Sequence, residues 1–524
     1  MANFTIRIPM GLRVAPGPPR AHTRCVGQMG GPVSGLGRSM QSFGELQQQL
    51  GPALMANKPG SGIDHVLVVL PSFSLGESTL SHYAARIPAL EHRYLLALFQ
   101  LGRIESCEMI FISTMAPEPE VLDYYFSLIP PERRESAQAR FSVVSLPDHS
   151  ARAVADKLID RPELLEMIKA RFGGRPAFIE PWNVTRSEAE IAVRLGAPIN
   201  GTAPDLWTLG FKSSGRRIFR EAQVMLPFGF EDVRSPDDIA SAIHAIRKAR
   251  PKATGVVVKH DNSGSGDGNR LIRFAGLPEP NDEGIRAHLA AWPEWYLRDL
   301  AQGGVVEELI HGDRFSSPSA QVDIAPDGTV AVLATHEQDL GGDEGQVYQG
   351  CRFPADPAYA AQLAETARAV GARLAALGVI GRFSIDFAAA WDGPDSVRTF
   401  ALEVNLRKGG TTHPYAALRN LVPGYYDPGE GSWRAAAGGT RAYRSTDNLF
   451  DAAWKGLPPI KVIEAVRDGA LEFDPSAGTG VVLHMLSCLA IDGRFGLTAI
   501  GRSPSHASEL FEAVRPSINR AISA

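Results

Sequence analysis

Residues 255–274 read GVVVKHDNSGSGDGNRLIRF: an apolar run ending on Lys259, a glycine-rich loop, then a second run with the pattern of a returning strand. Gly264, Gly266 and Gly268 lack the Cβ that restricts backbone dihedrals, so successive N–H groups can turn toward phosphate oxygens. Ser263, Gly264, Ser265 and Gly266 are the expected nucleotide-contacting part of the loop. Lys259, closing an apolar strand, is placed to set its ammonium on the phosphates. Because a strand follows the loop, the segment predicts a flap between two strands. A phosphate-binding loop of the P-loop kind needs Gly-Lys-Ser/Thr before a helix, and the chain has no Gly-Lys dipeptide. A protein kinase also covers its nucleotide with strand-loop-strand, but no H-R-D or D-F-G follows. A solvent-exposed hairpin is the plain alternative, and Lys259 at the strand end argues against it.

Downstream, GRFSIDFAAAW (381–391) and VRTFALEVNLRKGGTTHP (397–414) flank a turn at Asp392-Gly393, which predicts an antiparallel pair. Glu403 and Asn405 are two apart and share a face, and Asp386 on the neighbouring strand lies within reach. Two carboxylates and an amide on an otherwise apolar sheet would be costly unpaired, so a cation is the natural counterpart. Mg2+ suits such hard oxygen ligands and leaves room for phosphate oxygens. A solvent-facing polar stripe is the alternative. The next residues, Arg407, Lys408, Gly409, Gly410, Thr411, Thr412 and His413, argue for a site: they offer positive charge, backbone donors and hydroxyls to a carboxylate or phosphoryl group.

The chain has 524 residues, enough for about three domains. With 53 basic against 58 acidic residues and a net charge of -5, it lacks the basic excess of a nucleic-acid binder. No apolar run approaches the roughly 20 residues needed to span a bilayer. Cys25, Cys107, Cys351 and Cys488 are scattered, without C-x-x-C spacing, which fits a reducing, cytoplasmic setting. Residues 1 to about 60 are rich in Gly, Pro, Ser and Arg, with no acidic residue before Glu45, and predict a disordered extension. A transit peptide is disfavoured because the Pro and Gly content spoils an amphipathic helix. From residue 65, HVLVVLPSF, CEMIFIST, ARFSVVSL and RPAFIEPW read as short strands buried on both faces. EHRYLLALFQLGR, PEVLDYYFSLI and ARAVADKLIDRPELLEMIKARF read as crossover helices, so a doubly wound parallel sheet is expected over 62–205. No G-x-G-x-x-G follows its first strand, and ligands would sit at the carboxyl ends of the strands, for example around Pro71-Ser72-Phe73.

A further segment, VVEELIHGD (305–313), is an apolar strand that breaks into Glu307-Glu308-Leu309-Ile310 and Asp313. Lys259 with its flap, this segment about fifty residues later, and Asp386 with Glu403-x-Asn405 resemble, in order and spacing, the ATP-grasp superfamily. The resemblance implies ATP and Mg2+. Glu307 would accept from the adenine amino group, the backbone at Leu309 and Ile310 would bond the ring edge, and Glu308 or Asp313 would contact the ribose. Lys212, in LGFKSSGRRIF, matches the family's earlier phosphate-contacting lysine, and Asp386, Glu403 and Asn405 match its magnesium ligands. Relatives often carry an arginine two residues before the metal aspartate; here Ser384 stands there, which leaves Arg382 and Arg407 as alternatives for stabilising an oxyanion.

Within the superfamily the phrases LPSF, KHDNSGSGDGN, ATHEQDLGG, GQVYQGCRFPAD, EVNLRKGGTTHP and GVVLHMLSCLAIDGRFGLTAIGRSP resemble the pheganomycin-type peptide ligases. That implies an α/β chain with a pre-ATP-grasp parallel sheet (62–205), a two-lobed α+β ATP-grasp core (206–425) and a small C-terminal hairpin-plus-helix domain (445–524). It implies an ATP-dependent carboxylate-amine ligase working through an acyl-phosphate on small-molecule or peptide substrates, one acid and one amine, and a homo-oligomer is compatible with it. Arg382, Arg407 and Lys259 are the expected catalytic residues. Arg407, Lys408, Gly409, Gly410, Thr411, His413, His336 and Gln338 are the expected substrate residues. Rival readings are a small-molecule kinase on the same core and a non-catalytic ATP-binding module.

Overall fold

β1 (His65–Leu70), β2 (Cys107–Ser113), β3 (Phe141–Ser145) and β4 (Ala177–Pro181) form a parallel sheet in the order β3-β2-β1-β4. This is a computed structural model, and it describes residues 42–263, 268–277, 282–341 and 347–523. Every residue of β1 is buried. Its side chains alternate between two cores, Leu67 and Val69 on one face and Val66, Val68 and Leu70 on the other, the signature of a sheet covered on both sides. The expected long helix over 151–172 is two helices, Val154–Ile159 and Pro162–Ala170. The break falls before Pro162, which disfavours helical geometry in the preceding residue.

The expected disordered extension is corrected at its inner end. Residues 42–47 and Leu50–Ala56 are helical, and Phe43, Leu50, Ala53 and Ala56 are buried against the parallel-sheet layer. The Gln47 amide brackets the Ile199 backbone, donating to its carbonyl at 2.9 Å and accepting from its N–H at 2.7 Å. A handful of apolar residues suffices here because the domain supplies the other half of the core. Residues 1–41 lie outside the described residues.

β5 (Gly229–Phe230), β6 (Gly255–His260), β7 (Asn269–Arg273) and β8 (Gly304–Glu308) build a small antiparallel sheet in the order β5-β8-β6-β7. β6 and β7 are the two arms of the expected flap, with Lys259 opposite Asn269. The larger lobe uses β9 (Arg314–Ser316), β10 (Pro318–Ile324), β11 (Val330–Gly341), β12 (Val347–Phe353), β13 (Gly381–Trp391) and β14 (Val397–Asn405). β15 (Gly424–Asp427), β16 (Ser432–Ala435), β17 (Thr440–Phe450), β18 (Gly480–His484) and β19 (Arg494–Gly501) continue the same sheet, eleven strands among the described residues. The helix Ala360–Ala376 packs on β10 and β11, and Gly371 permits the approach: a Cβ there would lie 2.6 Å from Val330 Cγ1.

The C-terminal segment is an antiparallel pair, β18 with β19, and a closing helix, Pro504–Ser523. The connection is not a tight turn at Asp492-Gly493; a short helix, Leu489–Asp492, intervenes and Gly493 ends it with φ +76°. The pair also joins the core, because β17 bonds β12 on one edge and β19 on the other.

His336 lies at the centre of this sheet. It is fully buried, bonds the Tyr443 hydroxyl through Nε2 at 2.6 Å, and packs against Phe353 and Tyr443. The expectation that it faces substrate is therefore corrected: even spacing along β11 does not say which face meets solvent. Burial pushes its pKa down to about 3. The unfolded imidazole takes up a proton below its ordinary value of 6.5 while the folded one stays neutral, so stability falls as pH falls from 6.5 toward 3. The stability difference between wild type and His336→Gln, from urea unfolding, is expected to move against wild type by about 1.4 kcal/mol per pH unit below that point. A difference independent of pH would show that His336 carries its proton in the fold.

Candidate active site

The metal-type cluster forms where β13 and β14 pair, with Asp386 opposite Glu403 and Ser384 opposite Asn405. The ladder shifts register just after Asp386, a bulge that re-aims side chains. Asn405 Nδ2 donates to Asp386 Oδ2 at 2.8 Å, and Gln338 Nε2, from β11, donates to Oδ1 at 2.9 Å. Gln338, expected at a substrate, is thus placed at the metal-type carboxylate. Burial, and then the Glu403 charge, push the Asp386 carboxyl up to about 7. Two adjacent carboxylates short of positive charge are what a divalent cation relieves, and the oxygens of Asp386, Glu403 and Asn405 are hard donors of the type Mg2+ selects.

Lys212 opens the helix Lys212–Glu221, and its ammonium joins the cluster to the flap. It donates to the Ser263 carbonyl at 2.8 Å and hydroxyl at 3.1 Å, and lies 3.4 Å from Glu403 Oε1. Gly264, Ser265 and Gly266 lie outside the described residues. Lys259 is ion-paired to Glu307 Oε1, while Arg216 Nη1 takes Glu307 Oε2 at 2.8 Å. Both Glu307 oxygens are therefore committed to cations inside the small lobe. This corrects the expected contact with an adenine amino group: here the carboxylate holds Lys259 at the strand end.

The neighbouring expectations shift for similar reasons. The Leu309 N–H bonds the Gly255 carbonyl at 2.9 Å, so it does not serve a ring edge. Ile310 packs beside Ala388, Ala390 and Phe400. Glu308 accepts from the Phe228 N–H at 2.8 Å, and exposed Asp313 accepts from the Gly393 N–H at 2.9 Å, capping the β13–β14 turn. In this arrangement each of these carboxylates braces backbone of its own lobe, and one oxygen of exposed Asp313 is left without a bond among the described residues.

Beyond Asn405 the chain turns into the loop 406–411 against the parallel-sheet domain. Lys408 is buried, bonded to the Pro181 carbonyl and ion-paired with Glu180 at 2.5 Å, while its N–H bonds the Trp182 carbonyl. It is a tether between domains, which corrects its expected substrate role. Arg407 lies over the Trp182 ring, 5.1 Å from the centroid, and among the described residues no carboxylate is within ion-pairing distance of it. Arg382 lies 3.9 Å from Asp323. Both arginines line a cleft with Trp182, Asn183 and Thr202. The Gly409 N–H bonds Thr412 Oγ1, the Thr411 carbonyl accepts from Gln321, and a Cβ on Gly410 would lie 2.5 Å from the Tyr348 ring. His413 is buried and bonded to Asp447 at 2.9 Å, so it too is removed from the expected substrate set.

Trp182, Glu180 and Arg216 escaped sequence reasoning. Trp182 carried one usable signal, since it follows β4 at the carboxyl end of the parallel sheet. Glu180 and Arg216 gave none: their partners lie 228 and 91 residues away, Lys408 and Glu307.

Comparison with known proteins agrees with this architecture. Residues 461–514 match the family model described as PGM1 C-terminal domain. A curated L-propargylglycine–L-glutamate ligase of Streptantibioticus cattleyicolor is 31% identical over 435 residues, covering 80% of this chain and 88% of that protein. In fold, the chain is similar to biotin carboxylase from Campylobacter jejuni (TM-score 0.52, 14% identity, 88% of this chain and 94% of the other). It is also similar to the biotin carboxylase domain of Hydrogenobacter thermophilus 2-oxoglutarate carboxylase (TM-score 0.50, 12% identity, 86% and 89%). With Lys212 joining Ser263, just beyond the Lys259 strand, to an oxygen-rich cluster, and with this relative matched over most of its length, the chain belongs to the ATP-grasp superfamily, among its pheganomycin-type ligases.

Proposed function

We propose that this ATP-dependent ligase joins two amino-acid substrates, activating the carboxylate of one as an acyl-phosphate that the amine of the other attacks to form an amide bond. The observation that carries the reading is Lys212, whose ammonium meets both Ser263 of the flap and Glu403 of the oxygen cluster. A triphosphate held there would lie between the lobes, within reach of a part-buried Arg407 that, among the described residues, has no carboxylate at ion-pairing distance. The amino-acid character of both substrates rests on the relative's printed activity, ligation of propargylglycine to glutamate.

In this reading Asp386, Glu403 and Asn405 would hold Mg2+, which when bound would neutralise charge on the phosphates. Gln338 orients Asp386 for that task. Lys212 and Lys259 hold phosphate oxygens, and the Glu307–Arg216 pair fixes the direction of Lys259. The substrate carboxylate attacks the γ-phosphorus and ADP departs; the amine then attacks the acyl carbon, loses a proton and expels phosphate. Arg407 is the better oxyanion stabiliser of the two arginines, because it senses the charges of Glu403 and Asp386 whereas Arg382 sits beside Asp323. Closure of the flap excludes water from the acyl-phosphate. We also place the protein in the cytoplasm: Cys107, Cys351 and Cys488 are free and buried, and no helix among the described residues is long and apolar enough to cross a membrane.

The test is incubation with MgATP and pooled amino acids and short peptides, following ADP and condensation products by mass spectrometry. ADP formed together with an amide product is the expected result, and a stable phosphorylated product that needs no amine would replace the ligase reading by a kinase. Lys259→Ala and Glu403→Ala are each expected to lower ADP formation at least about 100-fold with far-UV circular dichroism unchanged; undiminished turnover in either would remove that residue from the mechanism. Arg407→Ala is expected to lower kcat by about 100- to 1000-fold and Arg382→Ala by less. The reverse order would transfer the oxyanion role to Arg382.

A further inference from the structure

A buried ionic group around Asp447 takes no part in the chemistry above. Asp447 sits on β17, where the ladder with β19 shifts register between Thr446 and Leu449 and releases the residue from regular pairing. Its Oδ1 accepts from His413 Nε2 at 2.9 Å and lies 3.6 Å from His484 Nδ1; its Oδ2 accepts from Arg93 Nη1 at 2.6 Å. Asp447 and His484 share the large sheet, while Arg93 and His413 come to it from elsewhere. Arg93 opens a 3-10 helix of the parallel-sheet domain, His413 lies in the first turn of the helix Thr412–Leu421 that follows the loop, and His484 ends β18. Gly496 makes room for this arrangement, since a Cβ there would lie 2.1 Å from His484 Cε1.

We propose that Asp447 is a positioning residue for the ligase reaction, setting the place of the 406–413 loop, and with it Arg407, by gripping His413 with one oxygen and Arg93 with the other. This rests on the reading of that loop as the substrate-facing wall. The loop is held at both ends by ions from flanking domains: Lys408 by Glu180 of the parallel-sheet domain, and His413 by Asp447 of the C-terminal part of the sheet. Between them, Gly410 against Tyr348 and Thr411 to Gln321 leave the backbone little play. Arg93 also reaches toward the chemistry directly, for its guanidinium lies 5.3 Å from the Phe73 ring centroid, Phe73 packs on Trp182, and Trp182 carries Arg407. A misplacement of about 1 Å in such a wall can cost on the order of 100-fold in rate.

His413, Asp447 and His484 have their ligand atoms within 4.8 Å of one another, a spacing that also suits a transition metal. Charge argues for the tie instead. Asp447 is already balanced by Arg93, burial favours neutral imidazoles at His413 and His484, and a divalent ion would leave an uncompensated double positive charge in the interior.

The experiment uses full-length wild type, Asp447→Asn, His413→Gln and Asp447→Glu. Amide hydrogen exchange over 406–413 is expected to quicken at least about tenfold in the first two variants, with β6 and β8 unchanged. In the pooled amino-acid assay the KM for MgATP should stay within about twofold while kcat falls about 10- to 100-fold, and Asp447→Glu, which keeps the charge, should recover part of it. If Asp447→Asn fails to fold, His413→Gln deletes only the imidazole side of the tie and carries the same measurement. Unchanged loop exchange in a folded variant overturns the proposal. So does a stoichiometric transition metal in purified wild type, found by elemental analysis, which would make the cluster a metal site. An inactive wild type would count against the ligase reading, and the exchange measurement would still decide this one.

Discussion

Two like charges facing one another across paired strands govern this structure. Asp386 and Glu403 lie opposite each other on β13 and β14, part-buried, with the Lys212 ammonium 3.4 Å from Glu403. In a medium of lowered dielectric such a pair is tolerable only if one carboxyl holds a proton or if cations are brought to it, and the rise of Asp386 to about 7 expresses that tension. Much of the site can be understood as the supply of positive charge to this spot. Lys212 comes from the helix beneath the flap, Arg407 from the loop, and the remaining deficit suits a divalent cation such as Mg2+.

Other cations around the cluster have carboxylate partners of their own. Lys259 is held by Glu307, Glu307 by Arg216, and Lys408 by Glu180. Buried pairs of this kind stabilise little in net terms but leave a large penalty when one member is removed, so they specify geometry more than stability. Arg407 differs: it rests on the face of Trp182, and among the described residues no carboxylate lies within ion-pairing distance of it.

The continuity of the large sheet explains why the flanking domains matter to the chemistry. β17 is shared between β12 and β19, so the C-terminal segment is an extension of the sheet that carries Asp386 and Gln338. The parallel sheet meets the same region from the other side through Glu180, Trp182 and Arg93. The loop 406–413 is therefore clamped between layers distant in sequence, whereas β6 and β7 are neighbours along the chain.

What the sequence determined by itself was local and periodic. β1 and β2, with their unbroken apolar runs, the β6–β7 flap, and the Asp386, Glu403 and Asn405 face follow from alternation and from glycine placement, because strand period and backbone freedom are properties of neighbouring residues. The β6–β7 pair, the parallel sheet and the oxygen cluster were legible for that reason, whereas the family was legible through the resemblance of its motifs. Only the tertiary structure decided how individual charges are spent. Glu307, Lys408, His413 and His336 all carry chemistry-bearing groups, and their periodicity gave no hint that each is bonded to a residue between 34 and 228 positions away: His413 to Asp447, Glu307 to Lys259 and Arg216, His336 to Tyr443, Lys408 to Glu180. The helix at Leu50–Ala56 is the same lesson in apolar form, since its core lies in another part of the chain. Pairing energies in a folded interior depend on distance in space, and distance along the chain does not encode it.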